Sequence, residues 1–169
     1  MEVSLNFEKK GRTLGDWFDV DKKKSYIYLI YTLKPDAKNL DKLIYIGETC
    51  DEEGYDKRVM KHFDDSEDDG KDPLYKYCKK NNIDKYDLVH KIAYVDSKQM
   101  EAVEAALIFA NRHSSQGFEL QNDKYKDDDS ELTKDNKDIT KITISGYCYP
   151  FKTMSDKTKG GKKIDIIVK

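Results

Sequence analysis

Cysteine is scarce in this sequence. The 169 residues include three cysteines, Cys50, Cys78 and Cys148, which are far apart and odd in number. This pattern argues against a disulfide framework, and no pair of them has the spacing of a structural zinc site. We therefore expect reduced thiols and a cytoplasmic protein.

A long apolar run is also missing. Residues 1–5 have neither the basic block nor the apolar block of a signal peptide. No apolar stretch approaches the ~20 residues that a helix needs to cross a bilayer. The sequence therefore predicts an intracellular protein that has no membrane partner.

The sequence has no excess of positive charge. Lys and Arg total 31 and Asp and Glu total 33, so the formal net charge is -2. The molecule as a whole does not attract a polyanion, and any binding of nucleic acid must come from a local surface. A hydrophobic fraction of 37% against a charged fraction of 38% predicts a small core under an ionised surface.

Composition divides the chain into a lead, a main domain and an extension. Residues 1–24 are a polar lead, in which Trp17 and Phe18 predict a short helix that packs on the core. Residues 25–122 hold the main domain, because a chain of this length has room for one domain of roughly 100 to 150 residues.

The C-terminal extension covers residues 123–169. It begins as a charged linker with almost no apolar residues, and it ends with strand patterns at 139–145 and 163–168. These two patterns predict a small β-hairpin that is added to the main sheet.

Strand and helix patterns alternate in the main domain. Residues 26–33 and 42–48 are rich in β-branched and aromatic residues and flank turn formers, so they predict an antiparallel hairpin. Residues 86–95 are apolar on both faces, which predicts a central strand. Helices are predicted over 55–64, after the pair Asp72 and Pro73, and after the capping pair Asp96 and Gln99. The predicted fold is α+β: a small three-stranded antiparallel sheet flanked by helices, with a C-terminal β-hairpin extension.

Six side chains suited to phosphodiester hydrolysis follow one another in the main domain. Two tyrosines come from neighbouring strands, an arginine and a histidine lie four residues apart on one predicted helix, a glutamate lies on another helix, and an asparagine follows. They are Tyr28, Tyr45, Arg58, His62, Glu104 and Asn122. Each alone is typical of an ordinary strand, helix or turn residue, and their joint order predicts one site.

The chemistry of this set fits the cleavage of a phosphodiester. The Arg58 guanidinium can bind a phosphate with two hydrogen bonds and stabilise the charge that builds on its oxygens. Glu104, or its neighbour Glu101, can hold one Mg²⁺ or Mn²⁺, because Mg²⁺ keeps several waters and takes phosphate oxygens as ligands. His62 can relay a proton or hold a water or a tyrosine in place.

In this order, residues 25–122 resemble the GIY-YIG nuclease family. Tyr26-Ile27-Tyr28 stands at the first motif with tyrosine in place of the leading glycine, and Tyr45-Ile46-Gly47 matches the second motif. Arg58 and His62 look like the family's Arg-x-x-x-His helix. The resemblance implies the roles of four further residues: general base for Tyr28, positioning for Tyr45, metal ligand for Glu104 and closure of the site for Asn122.

Local positive charge is expected from lysines. Glu48 directly follows the second motif and places a negative charge near the expected phosphate path. The lysines expected to contact nucleic acid are Lys57, Lys61, Lys76, Lys162 and Lys163. The last two are equally typical of an edge hairpin that avoids aggregation.

These residues predict a metal-dependent endonuclease that hydrolyses DNA phosphodiester bonds, of restriction, mobile-element or phage type. Its expected partner is DNA, with a homodimer or a specificity-giving partner protein left open. One alternative is a structure-specific repair nuclease that a partner protein activates. Another is a catalytically quiet module that binds nucleic acid or protein, which Glu48 and the net negative charge favour.

Overall fold

The computed structural model describes much of the chain, with gaps. The described residues are 1–8, 11–14, 24–32, 42–49, 55–63, 72–113, 120–122, 139–146, 151–157 and 163–169. The predicted helix at Trp17 and Phe18, the charged linker, Lys162, Cys50 and Cys148 lie outside them.

Within the described residues the fold is α+β, as predicted, and it contains two β-sheets. In chain order the elements are β1 (Glu2–Asn6), β2 (Tyr26–Thr32), β3 (Lys42–Thr49), α1 (Tyr55–Met60), α2 (Pro73–Lys80), β4 (Leu88–Tyr94), α3 (Met100–His113), β5 (Lys141–Ser145), β6 (Met154–Lys157) and β7 (Lys163–Val168). Short 3-10 helices, Lys61–Phe63 and Lys85–Asp87, follow α1 and precede β4.

The first sheet has β2 in its centre, with β3 and β4 antiparallel on either side. The predicted antiparallel hairpin and three-stranded sheet are confirmed. The prediction that residues 86–95 form the central strand is wrong, because β4 is an edge strand whose outer side bears a short bridge between Arg12 and His90. Apolar residues on both faces of a strand indicate that both faces are buried. They do not indicate whether both edges of the strand are hydrogen bonded to neighbouring strands.

The second sheet is mixed and has the order β1-β5-β7-β6. β5 pairs in parallel with β1 and with β7, and β6 pairs antiparallel with β7. The predicted hairpin of 139–145 and 163–168 on the main sheet is therefore wrong: these strands are parallel neighbours in a separate sheet. The prediction missed β1, whose alternating buried Val3 and Leu5 lie in the polar lead and give β5 a partner.

The helix starts follow the local capping residues. Asp72 caps α2 by accepting hydrogen bonds from the amides of Leu74 and Tyr75, and Pro73 occupies the first turn, as predicted. The predicted helix over 55–64 changes to 3-10 geometry after Met60. These elements leave Asp72 at the start of α2, beside the turn that carries His62.

α3 is buried over most of its length. Positions 102–111 are all buried, which is wider than one helical stripe. Its side chains share one core cluster with Ile27 and Leu29 of the first sheet and with Ile142 and Ile144 of the second. This helix therefore connects the cores of both sheets. No helix among the described residues combines the length and apolarity that would let it cross a bilayer.

Candidate active site

The register of β2 and β3 brings two tyrosines to one face of the first sheet. Tyr28 pairs with Gly47 and Ile30 pairs with Tyr45, so Tyr28 and Tyr45 are diagonal neighbours. Their rings stack with centroids 6.1 Å apart and planes 17° apart. Tyr28 is fully buried and Tyr45 is half-buried. Both tyrosines of the predicted set therefore lie at the same place.

Gly47 makes room for the Tyr28 ring. A Cβ atom at this position would overlap Cζ and the hydroxyl oxygen of Tyr28 across the strand pair. A strand glycine often marks such a close approach. The glycine of the Tyr45-Ile46-Gly47 triplet thus sets where the Tyr28 hydroxyl lies.

The Tyr28 hydroxyl is hydrogen bonded to the ring of His62. Its oxygen lies 2.9 Å from His62 Nε2, and this contact is buried. The Tyr45 ring packs edge-on against the same imidazole, with centroids 4.8 Å apart. The 3-10 turn after α1 thus places His62, 6% exposed, against both tyrosines.

Asp72, which the sequence predicted only as a helix cap, completes this chain of contacts. His62 Nδ1 lies 2.8 Å from Asp72 Oδ2, while Oδ1 accepts from the amides of Leu74 and Tyr75. Burial alone would raise the pKa of Asp72, but the hydrogen bond and charge of His62 and the two amides outweigh it and hold the pKa below its usual value. Asp72 is therefore a carboxylate at neutral pH.

A cleft of about 200 Å³ opens beside these residues. Five of the six predicted side chains line it, and His62 is hydrogen bonded to two residues of the lining. The lining residues are Tyr28, Tyr45, Glu48, Arg58, Asp72, Pro73, Glu104, Gln121 and Asn122. Glu101, the rival ligand, is exposed on α3 and is not among them.

Asn122 holds the outer edge of β3. Its side-chain Oδ1 accepts from the Ile46 amide at 3.1 Å, and its Nδ2 donates to the Ile46 carbonyl. The Gln121 amide also donates to the Ile44 carbonyl at 2.7 Å. The Asn122 side chain therefore hydrogen bonds to the Ile46 backbone as a neighbouring strand would. It fixes the backbone of β3 between Tyr45 and Gly47.

The charges of the cleft are mostly negative. The described lining residues include three acidic side chains, Glu48, Asp72 and Glu104, and one basic side chain, Arg58. Glu104 lines the cleft and is a buried residue, 7% exposed. Among the described residues no group of three or more His, Cys, Asp or Glu side chains could enclose a metal ion. A Mg²⁺ or Mn²⁺ ion held by Glu104 would therefore take most of its ligands from water and phosphate.

Three of the predicted lysines lie on the elements that build the cleft. Lys57 on α1, Lys61 on the 3-10 turn and Lys76 on α2 are all exposed. Lys163 lies on β7 of the second sheet, where it pairs with Asp165 at 3.2 Å. The first three therefore share elements with residues of the cleft, and Lys163 lies in the second sheet.

A second buried histidine lies on the same sheet face. His90 pairs with Ile30 in the register of β4 and β2 and is fully buried. Burial, together with the charge of His62, lowers the pKa of His90 to about 4. His90 is therefore neutral at physiological pH. The apolar pattern of β4 did not single it out as a titratable group.

Comparison with known proteins gives no independent assignment. The chain matches no protein-family model, no curated protein and no solved structure. Its function therefore has to be argued from the chemistry of the cleft.

Proposed function

We propose that this chain is a metal-dependent endonuclease that hydrolyses DNA phosphodiester bonds, of the GIY-YIG type that residues 25–122 resemble. The observation that carries the proposal is the meeting of a buried Tyr28 and His62 hydrogen-bonded pair with Arg58 and Glu104 around one cleft. A base, a cation for the phosphoryl oxygens and a metal-binding carboxylate are the groups that this reaction needs.

Arg58 is the group that binds the scissile phosphate. It is half-buried in the cleft wall, so its guanidinium is partly shielded from water, where hydrogen bonds to phosphate are stronger than in bulk solvent. Its charge persists throughout the reaction, because guanidinium does not lose a proton in proteins. Arg58 therefore stabilises the charge that grows on the phosphoryl oxygens.

Tyr28 is the general base of the proposed reaction. A phenol with an ordinary pKa of about 10 is a weak base at neutral pH. The hydrogen bond to His62 Nε2 gives its proton an acceptor, so the Tyr28 oxygen can take a proton from water while its own proton passes to the imidazole. Tyr45 packs against both rings and holds them in place.

Glu104 is the protein ligand of the proposed Mg²⁺ or Mn²⁺. A bound cation of this kind supplies Lewis acidity that stabilises a leaving oxygen. The nearly full burial of Glu104 keeps its carboxylate in one place at the cleft wall. Asn122 contributes by fixing the edge of β3, which carries Tyr45 and Gly47.

Exposed lysines next to the cleft give DNA a path to it. Lys57 lies on α1 beside Arg58, and Lys61 lies on the 3-10 turn beside His62. Lys76 lies on α2, the helix that Asp72 caps. Phosphate contacts of this kind position a duplex without reading its sequence. We propose sequence or structure selection by a second copy of the chain or by a partner protein.

The first test is the cleavage of supercoiled plasmid by wild type, Glu104→Ala and Glu101→Ala, each with Mg²⁺, Mn²⁺ or EDTA. Glu101 is the matched control, because it is an exposed glutamate on the same helix and lies outside the cleft lining. We expect nicked and linear forms with wild type and Glu101→Ala in the presence of metal, and none with Glu104→Ala or EDTA.

Each other outcome of this test has a defined meaning. Equal cutting by all three proteins would indicate contamination or a different site. Absence of cutting on plasmid, branched and single-stranded DNA would exclude an enzyme that acts alone and would favour activation by a partner protein.

A quiet binding module is the second candidate, and one observation favours it. Glu48 lines the cleft beside Asp72 and Glu104, so three carboxylates repel an approaching phosphate. DNA binding that weakens with salt, without cleavage in any metal, would support this candidate. If Glu48→Gln bound DNA no more tightly than wild type, repulsion of phosphate by the Glu48 carboxylate would be excluded as the cause of the missing cleavage.

A further inference from the structure

We propose that Asp72 is a positioning residue for the reaction of this cleft: it holds His62 in the tautomer whose Nε2 accepts the Tyr28 proton. The inference rests on the proposed nuclease function. It adds to the six predicted side chains a residue that the sequence presented only as a helix cap.

The two oxygens of Asp72 have separate tasks. Oδ1 accepts from the backbone amides at the start of α2, at 2.8 Å from Leu74 and 3.4 Å from Tyr75. Oδ2 lies 2.8 Å from His62 Nδ1. Because the helix start holds one oxygen, the other oxygen has a fixed direction toward the imidazole.

This geometry decides where the imidazole carries its proton. A carboxylate accepts hydrogen bonds and has none to give, so His62 Nδ1 must carry a hydrogen and donate it to Asp72. When the ring is neutral, its Nε2 is bare and accepts from the Tyr28 hydroxyl at 2.9 Å. The opposite tautomer would point an N–H at Tyr28, and His62 would then offer no acceptor for the Tyr28 proton.

The proton transfer that follows is balanced. The Tyr28 oxygen takes a proton from water as the water oxygen bonds to phosphorus, and the bond from phosphorus to the leaving oxygen breaks. The original Tyr28 proton passes to His62 Nε2, and the leaving oxygen takes a proton from solvent. The resulting imidazolium lies beside the Asp72 carboxylate, which stabilises its charge.

Asp72→Asn separates this role from helix capping. Asparagine caps a helix about as well as aspartate, so α2 keeps its start. Its amide would donate to His62 Nδ1 and move the ring hydrogen to Nε2. The matched control is Asp84→Asn, because Asp84 caps the 3-10 helix Lys85–Asp87 through the Tyr86 amide.

The deciding measurement is the ¹⁵N NMR spectrum of the imidazole at mildly alkaline pH, with His62→Gln used to assign the signals. It needs no DNA and therefore tests the tautomer independently of nuclease activity. We expect protonated Nδ1 and bare Nε2 in wild type and in Asp84→Asn, and the reverse in Asp72→Asn. Bare Nδ1 in wild type would overturn the proposal.

The kinetic arm measures cleavage of plasmid with Mg²⁺ or Mn²⁺. We expect Asp72→Asn to lower kcat by about 100-fold or more with unchanged DNA binding, as general base catalysis typically contributes this much. Asp84→Asn should cleave like wild type. A reversed tautomer in Asp72→Asn with unchanged kcat would overturn the positioning role. An inert wild type would instead refute the proposal that the chain cuts DNA on its own, and the role of Asp72 in that reaction, while leaving the tautomer result standing.

Discussion

Gly47 lies directly across the strand pair from Tyr28, and the Tyr28 ring occupies the space where a side chain at position 47 would begin. The hydroxyl of that ring is thereby brought to within 2.9 Å of His62 Nε2. The position of the Tyr28 hydroxyl thus depends on the absence of a Cβ atom at residue 47 on the neighbouring strand.

Gly47→Ala should displace the Tyr28 ring. The added Cβ overlaps ring atoms that are fully buried, and overpacking of a core typically costs about 1 to 3 kcal/mol. Urea unfolding would measure the cost in the wild-type background and in Tyr28→Leu, where the ring is absent. An equal cost in both backgrounds would show that the two positions do not interact.

Arg58→Ala should reduce DNA cleavage by about 100-fold or more, because loss of a preorganised donor to a charged transition state typically has this effect. The matched control is Lys57→Ala, which removes an exposed charge from the adjacent position of α1. Plasmid cleavage rates at saturating DNA would give both numbers. Similar losses of cleavage rate from the two substitutions would indicate that Arg58 contributes only a general electrostatic attraction to DNA.

Asn122→Leu should loosen the outer edge of β3. It removes both hydrogen bonds to Ile46 and leaves buried backbone groups without them, at about 1 to 3 kcal/mol for each unsatisfied group. Hydrogen exchange of the Ile46 amide should accelerate together with the loss of stability. Gln121→Ala is the control, because the bond from residue 121 to Ile44 comes from the backbone amide and is retained. Unchanged exchange at Ile46 in Asn122→Leu would contradict this role.

His90 should make the protein less stable in acid. Its folded pKa of about 4 lies below the ordinary histidine value of 6.5, so between these values the unfolded chain binds a proton that the folded protein does not. The stability contribution is complete above pH 6.5 and is lost as the pH falls toward 4, by about 2 kcal/mol between pH 7 and pH 5. Urea unfolding of wild type and His90→Gln at both pH values would test this. Equal pH dependence in the two proteins would show that His90 is not the group responsible.

Cys78 should be inert in the folded protein. Burial, and then the charge of Asp72, raises the pKa of its thiol to about 11 from 9.0, so its thiolate is about 100-fold rarer at neutral pH. A variant with Cys50→Ser and Cys148→Ser leaves Cys78 alone for labelling with a thiol reagent. We expect labelling at least about 100-fold slower in buffer than in denaturant. Equal rates would show that the thiol is accessible.

Features with local causes could be predicted from the sequence. The cap of α2 at Asp72 depends on residues within a few positions of one another, and the hairpin of β2 and β3 pairs strands that follow one another in the sequence. The sequence also predicted that five side chains meet at one cleft: Tyr28, Tyr45, Arg58, Glu104 and Asn122. This prediction came from a family pattern as much as from local physics.

Features that depend on distant pairing could not be predicted in this way. β1 and β5 meet across 139 positions, as the ion pair of Glu2 with Lys141 shows, and neither strand carries a local mark of the other. The contact of His62 with Asp72 was missed for a related reason. An aspartate before a proline is fully explained as a helix cap, and the use of its second oxygen depends on where another turn lies.

The pairing of β1 with β5 also sets an order of events during synthesis. The three strands of the first sheet are complete once residue 94 has left the ribosome, whereas β5, the strand that pairs with β1 among the described residues, follows only at 141–145. During synthesis, a nascent chain folds from the N-terminal side, and each strand can pair only after its partner strand has been made. β1 is therefore synthesised long before β5, and its alternating apolar residues Val3 and Leu5 await that strand during the interval.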